Sequence, residues 1–527
     1  MDRNELIAML EKRTDLKQYL FIRGFLITNK NIDDLRGFPF YGNWSKDTIC
    51  GFNFIVHKEL KLYIEKSRDT VLFLIGHCFN PFDMEHDEKH ILKKLAILEG
   101  SAFWEYEANL TGIYVMGRIT KDGTLTHWSD CAGMRISYYG YIGEHYAITS
   151  HVNLAACLFA LNEDMYIKEL KNSKYFHLFG NVLPADCSTY TELKRTVPNH
   201  YYKNDGTVKR FFPVLPIVEC KSESDYQNVL EQSARIMRTT LSLCAKKWPD
   251  KRIAISVTGG KDSGETLASA VGVYDSFSYF SYISKPEERV DAEAAREICK
   301  CLGLKHRIID VPSENDKVNN FDAMNKLIYI NGGSIGYIKP NEVRKRCLLA
   351  DEQSIDIEIK SWVNEIVRAY WYKKYSIKQF PKRPTGKYLA ALYKVFIENR
   401  KLYHKTAKVF DGYIQKYMTD DDIYLLGDWT SLWSWEFGFS AGEGQSLFAE
   451  HMLSYDITIP FNNRHLISLM LRTKLQDRID DRLQKDIIRT NNSKQAELNI
   501  NIVNAAHTSK RAFMERVYLL VNTHLPY

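Results

Sequence analysis

The sequence predicts a layered α+β domain followed by an α/β domain built on a parallel sheet, and three observations predict it. Residues 19–212 read as many short β-rich segments with few helices. Residues 253–257 form an apolar, β-branched run that enters a Gly259-Gly260 turn and then a helix-forming segment. Beyond that helix, residues 275–283, 291–302 and 306–311 read as strand, amphipathic helix and strand, with links short enough for a parallel sheet covered by helices on both faces. The division expected is 1–215 and 216–527.

A chain of 527 residues exceeds one ordinary core, and its composition is that of a soluble globular protein. The formal net charge of +6 is small for this length and no dense Lys/Arg tract stands out, so the charge permits a polyanionic partner without arguing for one, and a nucleic-acid partner is not expected. Ten cysteines are scattered without paired spacing apart from Cys299-x-Cys301, so neither a disulfide framework nor a zinc pattern is read. Met1-Asp2-Arg3-Asn4-Glu5 opens no apolar signal core, and no apolar run approaches the roughly 20 residues that span a bilayer. The expectation is a reduced, cytoplasmic protein without a membrane partner.

In the first part, residues 52–63 and 71–77 are β-rich, and 110–119 alternate up to an Asp122-Gly123 turn. Helices are expected over 87–99 and 154–161. The order of features resembles the class II glutamine amidotransferase (Ntn-hydrolase) domain of asparagine synthetases and β-lactam synthetases. Leu110-Thr111-Gly112-Ile113-Tyr114 is similar to their L-x-G-x-F strand, and Asp130 through Gly133 to Tyr138-Tyr139 to their R-D-x-x-G-x-x-x-L-Y-Y segment. A glutaminase of that class needs an N-terminal cysteine whose α-amine is its base. Asp2 follows Met1 here, and Cys50-Gly51-Phe52, which resembles the family's opening C-G-I, lies some fifty residues inward. The resemblance therefore implies a scaffold domain without ammonia production. His77, in Gly76-His77-Cys78, reads as a packed strand histidine.

The second part is organised around Ser256-Val257-Thr258-Gly259-Gly260-Lys261-Asp262-Ser263. The first N–H groups of a helix lack intrahelical acceptors and its dipole favours negative charge, so a strand–loop–helix start is an anion site. Gly259 and Gly260 let backbone approach a phosphate, Thr258 and Ser263 offer hydroxyls, Lys261 adds positive charge, and Asp262 is a hard oxygen donor for Mg²⁺. Walker A spacing is missing. The stretch resembles the S-G-G-x-D-S pyrophosphate loop of the PP-loop (adenine nucleotide alpha hydrolase-like) ATP pyrophosphatases, with threonine for the first serine. Asp291-Ala292-Glu293-Ala294 and Leu302-Gly303-Leu304-Lys305-His306 resemble the asparagine synthetase D-E-x-x-A…L-G-x-x-H, which implies that the strand end at Tyr282 faces adenine.

Asparagine synthetases carry S-G-E-G-x-D-E after a later strand. The positional match here is a strand over 355–360, then Ser361-Trp362-Val363-Asn364-Glu365-Ile366-Val367-Arg368, with Glu365 in place of the final glutamate and Asn364 in place of the aspartate. The literal Gly442-Glu443-Gly444-Gln445 lies far downstream and lacks the Asp-Glu. Pro460-Phe461-Asn462-Asn463-Arg464 resembles the family's P-F-L-D-x-R, and Lys485 to Arg489 its K-x-x-L-R. What the resemblance implies is an AMP-forming carbon–nitrogen ligase acting on Mg²⁺–ATP, a small-molecule carboxylate, and ammonia or an amine. Ser256, Thr258, Gly259, Gly260, Lys261, Asp262, Ser263, Tyr282 and Arg368 would hold the nucleotide, Asp262 and Glu365 the metal, and Glu365 and Lys485 would act in catalysis, with Lys510 as a further candidate lysine. A homodimer is compatible with this reading. The alternatives are a PP-loop RNA-modifying enzyme and a non-catalytic nucleotide-binding relative.

Overall fold

The computed structural model describes residues 2–179, 182–333, 338–352, 354–395, 400–451, 454–500 and 509–524. Two six-stranded antiparallel sheets and one five-stranded parallel sheet carry the fold. One antiparallel sheet is centred on Phe25–Thr28 and Phe52–His57, the other on Thr70–Phe79 and Thr111–Thr120. Because alternate residues of a strand face opposite ways, each sheet presents two apolar faces. Phe25, Ile27, Phe54 and Val56 meet Phe73, Ile75, Val115 and Ile119 between the sheets. The outward set Leu72, Leu74, Tyr114 and Met116 packs under helices Glu88–Ala96 and Gly100–Ala108. Leu26 and Ile55 pack with Leu6 and Leu10 of Arg3–Lys12 and with Val152–Leu158. The layers run helix, sheet, sheet, helix, in line with the layered α+β expectation.

Local departures have local reasons. The run over 52–63 is interrupted by a turn, giving Phe52–His57 and Leu62–Lys66. The two expected helices are present as Glu88–Ala96 and Val152–Leu158, and four more appear at Arg3–Lys12, Gly100–Ala108, Met165–Lys171 and Lys174–Phe179. Gly100–Ala108 carries Phe103, Trp104 and Tyr106, residue types that favour strands, and its helix forms because Phe103 and Tyr106 seal the sheet face. Met165–Lys171 starts at Asp164, whose carboxylate accepts from the Tyr166 and Ile167 N–H groups.

The parallel sheet has the order His306–Asp310, Ser278–Ile283, Ile253–Ser256, Ile357–Ile359, Asp456–Thr458. From Ile253–Ser256 the chain builds first to one side and then to the other, so that strand is the switch point, and crevices for ligands lie beyond carboxyl ends at such points. Helix Glu223–Lys247 leads into it behind a Ser222/Asp225 capping box, and Glu288–Cys301 crosses from Ser278–Ile283 to His306–Asp310. Helices Phe321–Gly332 and Pro340–Asp351 then reach over to the outer face of the first antiparallel sheet. No described helix is long and apolar enough to cross a membrane. All ten cysteines are free thiols.

The last parallel strand delivers a polar clasp between the two parts of the chain. Arg464 and Glu107 are both 0% exposed, joined by bonds of 2.8 and 3.0 Å from one guanidinium nitrogen. The other Arg464 nitrogens donate to Asn199 Oδ1 and to the Ser129 and Asp130 carbonyls. Asn462 donates to Asp130 and to the Gly112 carbonyl while accepting from the Ala132 N–H. Asp130 also accepts from the N–H groups of Tyr114, Met134 and Arg135. Burial pushes the Glu107 carboxyl above its ordinary range even beside Arg464, so the pair fixes geometry rather than supplying net stability. Arg464→Met should lower stability by about 3–5 kcal/mol, because it strands a buried carboxylate, and adding Glu107→Gln should restore much of the loss. Urea unfolding of the single and double variants checks this; equal midpoints for both would place the cost elsewhere.

Candidate functional site

The glycine loop closes on itself before it offers anything to a ligand. Ser263 Oγ accepts from the Thr258 N–H at 3.0 Å and lies 3.0 Å from Thr258 Oγ1, which in turn accepts from the Gly260 N–H at 3.1 Å. Gly260 caps the helix Lys261–Ser269. The N–H groups of Lys261, Asp262 and Ser263 therefore open the helix with no acceptor behind them. The strand side is pinned too: the Val257 N–H donates to the Phe280 carbonyl, and Ser281 Oγ donates to the Val257 carbonyl. A cavity of about 300 Å³ lies in front, lined by Ser256, Thr258, Asp262, Ser263, Tyr282 and Glu365 among others. Six sequence-assigned residues thus meet at one cavity.

The cavity is acidic. Glu288 and Asp291 join Asp262 and Glu365 on its wall, with Lys360 as the cation there. Lys360 Nζ is 3.0 Å from Glu358 and 4.8 Å from the Trp362 ring centre. Burial and the neighbouring Asp262 charge push the Glu365 carboxyl up to about 8, and its Oε2 is buried with no hydrogen-bond partner among the described residues. Burial raises Asp262 as well, with Arg368 pulling the other way. Glu265, one helical turn beyond Asp262, is fully buried and pushed far up by burial and by Asp262. Asn364 Nδ2 donates to Asp262 and to Glu265, at 2.9 Å each. An amide is therefore what this position needs: an aspartate would set a third carboxylate against two.

Behind the loop sits Asp481, which receives Lys261 at 3.0 Å, Lys373 at 2.5 Å and Arg368 at 2.8 and 3.2 Å. Burial alone would raise Asp481, but these cations hold it far below the usual carboxylate range. Arg368 also donates to Asp262. Lys261 and Arg368, expected at phosphate, are engaged by carboxylates here, and neither lines the cavity. They set the position of Asp262 and of the helix that bears it. Lys485 is not brought to the site; it is exposed, and its ammonium donates to the Asp480 carbonyl at 2.8 Å. The side chain of Lys510 lies outside the described residues. Glu365 lies on a short 3₁₀ turn, Asn364–Val367, which Arg368 closes and helix Tyr370–Tyr375 follows.

Sequence reasoning missed Glu265, Lys360, Lys373 and Asp481. Glu265 stands three residues after Asp262, the spacing that shares a helix face. Lys360 follows the Ile357–Ile359 strand at its carboxyl end, where the cavity had to lie. Asp481 adopts φ +53°, a left-handed conformation that marks special positions but leaves no local sequence signal.

In the first part, Cys50 and Gly51 form the tip of a hairpin, both at positive φ, between strands Trp44–Ile49 and Phe52–His57 that pair over six residues. The free thiol is exposed there. The preceding residues supply Phe25–Thr28 to the middle of the sheet, so Cys50 is an interior turn residue. His77 is buried, 5.2 Å from the Trp248 ring, and burial drives its pKa down to about 3. It is a packing residue.

No family model matches the chain, and no curated protein matches it. Among solved structures it is similar to a glutamine phosphoribosylpyrophosphate amidotransferase from B. subtilis complexed with ADP and GMP, at 9% identity over 57% of this chain and 62% of that one, with a TM-score of 0.22. A structure of an allosteric regulatory enzyme of purine biosynthesis gives the same identity, coverage and score. A glutamine-dependent NAD+ synthetase from Acinetobacter baumannii in complex with ADP follows at 12% identity, 47% and 58% coverage, and a TM-score of 0.17. The chain spans less than two thirds of the length of each of these. Likenesses so faint carry no weight for fold or activity, which rest on the site itself.

The raised Glu365 carboxyl has a measurable consequence. It keeps its proton in the folded chain up to about pH 8, whereas in the unfolded chain it ionises near pH ~4. Between those values the folded state binds more protons, so stability declines as pH rises through the interval and the full cost stands above it. Glu365→Gln should flatten that decline and melt higher than the wild type on the alkaline side. Thermal melts across the interval check it; parallel curves would mean that Glu365 is ionised in the folded chain.

Proposed function

We propose that the chain is an AMP-forming carbon–nitrogen ligase that activates a carboxylate with Mg²⁺–ATP and passes the acyl group to ammonia or an amine. The observation that carries the reading is the helix start at Asp262 and Ser263, facing a cavity on whose wall the buried Glu365 Oε2 has no hydrogen-bond partner among the described residues. Its place at the switch point of a parallel sheet supports the same reading.

A bare triphosphate would be repelled by Asp262, Glu288 and Asp291 together. The nucleotide therefore enters as its magnesium complex, and the donor set suits it: Mg²⁺ takes one or two carboxylates and completes its shell with phosphate oxygens and water. Glu365 Oε2, buried without a partner, is the free donor, and Asp262 shares its oxygens with Asn364 and Arg368.

In the first step a carboxylate oxygen of the substrate attacks the α-phosphorus, the bond to the β-phosphate oxygen breaks, and pyrophosphate leaves toward the Thr258–Ser263 loop. The helix N–H groups stabilise that charge without having to reorganise. An amine nitrogen then attacks the acyl carbon, the bond from that carbon to the AMP phosphate oxygen breaks, AMP leaves with the oxygen and its electron pair, and the amine proton goes to solvent or to a wall carboxylate. Positioning supplies the rest. The first part of the chain, with Cys50 inside a hairpin, serves as scaffold, so nitrogen comes from free ammonia or an amine-bearing substrate.

The test is release of pyrophosphate and AMP from Mg²⁺–ATP over a panel of carboxylic acids, each with and without ammonia. Acid-dependent release is expected, falling by at least about 100-fold in Asp262→Ala. ADP and phosphate as products would overturn the reading. Tight nucleotide binding with no turnover for any acid would favour the non-catalytic relative.

A further inference from the structure

Glu365 lines a second cavity as well. This one measures about 440 Å³ and lies on the far side of the Asn364–Val367 turn from the glycine loop. Its volume falls in the range of small-molecule sites. Two elements build most of its wall. One is the helix Tyr370–Tyr375, which contributes Tyr370, Trp371 and Lys374; the other is Ser434–Glu443, which contributes Ser434, Phe437 and Glu443. Ser434–Glu443 is wound as a π-helix over ten residues, where such winding is ordinarily confined to a single turn and concentrates at functional sites. The two elements are tied by Trp371 Nε1 donating to Ser434 Oγ at 2.9 Å.

The lining is aromatic in a particular way. Trp433 and Phe437 stack at 4.1 Å with 23° between their planes, and Tyr370 meets Trp371 edge-on at 5.1 Å. Lys374 Nζ lies 5.2 Å from the Tyr370 ring centre and 5.1 Å from that of Trp371, and it donates to the Tyr370 hydroxyl at 3.2 Å. Among the described residues no carboxylate lies in ion-pair range of Lys374. An ammonium lodged among rings, with the Glu515 charge acting on it but outside ion-pair range, is a counter-charge for an anionic guest. Flat apolar walls, one such ammonium, and a boundary residue shared with the nucleotide cavity define one kind of occupant.

We propose that this second cavity binds an aryl-bearing carboxylic acid, the acyl substrate of the ligase, with its ring between the Tyr370–Trp371 and Trp433–Phe437 walls and its carboxylate directed past Glu365 toward the nucleotide. The identity of the ligand as a substrate rests on the reading of the chain as an adenylating ligase; the binding class rests on the cavity alone. The literal Gly442-Glu443 motif, set aside on its sequence position, stands on this wall, and Glu443 contributes to the electrostatic lift on Glu365.

The position that tests it is Gly438, which lines the cavity and has an ordinary φ. A Cβ there meets nothing nearer than the Trp433 carbonyl at 3.8 Å, so Gly438→Leu fills space without a backbone clash. Titration calorimetry on the full chain, alone and with Mg²⁺ and α,β-methylene-ATP, should compare phenylacetate and indole-3-acetate with cyclohexylacetate and hexanoate. The aryl acids should bind at least about tenfold more tightly than the saturated ones, Lys374→Met should weaken them, and Gly438→Leu should abolish their binding while holding nucleotide affinity within about twofold. Equal affinity for saturated acids, binding that survives Gly438→Leu, or no aryl binding in either nucleotide state would overturn the proposal. Pyrophosphate release run beside it separates the two readings. Aryl acids that bind without release would leave the cavity assigned and sink the ligase, whereas release driven by an acid that this cavity does not bind would do the reverse.

Discussion

The fully buried contact between Arg464 and Glu107 is the constraint on which the two parts of the molecule depend. It is made by the segment that follows the last parallel strand, so the end of that strand and the second antiparallel sheet are held in one register. Asn462 and Asp130 repeat the arrangement a few residues away, and Asn463 adds bonds to the Asn109 carbonyl and Thr111. The side-chain donors of Arg464, Asn462 and Asn463 all have acceptors, a condition that a buried polar interface must meet. The stretches Asp130–Gly133 and Pro460–Arg464, recognised separately in the sequence, turn out to be the two faces of this contact.

A similar economy governs the candidate site, with the opposite outcome. Around Asp481 the charges are over-satisfied: three cations share one carboxylate. A few residues away, Glu365 and Glu265 each keep a buried oxygen with no hydrogen-bond partner among the described residues. Satisfied charge behind the loop and unsatisfied charge in front of it leave the cavity stiff at its back and receptive at its face. Structures tend to retain such local costs where ligands bind.

Much of this was legible in the chain. Residues 253–263 announced a strand, a phosphate-suited turn and a helix because each local rule pointed the same way, and Ser256, Thr258, Asp262 and Ser263 do face one cavity. Tyr282 and Glu365 were placed by analogy of spacing, and they line it too. The partners of the cations were not legible for a physical reason: a lysine or arginine in a sequence shows its charge but not its partner, and Lys261 and Arg368 meet a carboxylate that arrives over a hundred residues later. Lys485 followed a motif, yet its helix turns it to solvent. The layered order of the first part came through in strand alternation, whereas helix Gly100–Ala108 was hidden by β-favouring aromatics. The π-wound wall of the second cavity has no periodic signature at all, since its residues are chosen for the space they enclose.

The spacing of the Arg464 contact also bears on how the molecule is made. Glu107 leaves the ribosome 357 residues ahead of the guanidinium that neutralises it, roughly half a minute at ordinary rates of synthesis. The Phe321–Gly332 and Pro340–Asp351 helices that shield the first antiparallel sheet also arrive late. Through that delay the nascent first half has an uncovered sheet face and a carboxylate with no mate, which it can tolerate only by staying loose or by keeping a proton on Glu107. Final closure is thus postponed until the far end of the chain emerges. An early domain waiting for its lock is a natural client for holding chaperones and a natural point of loss when translation stalls.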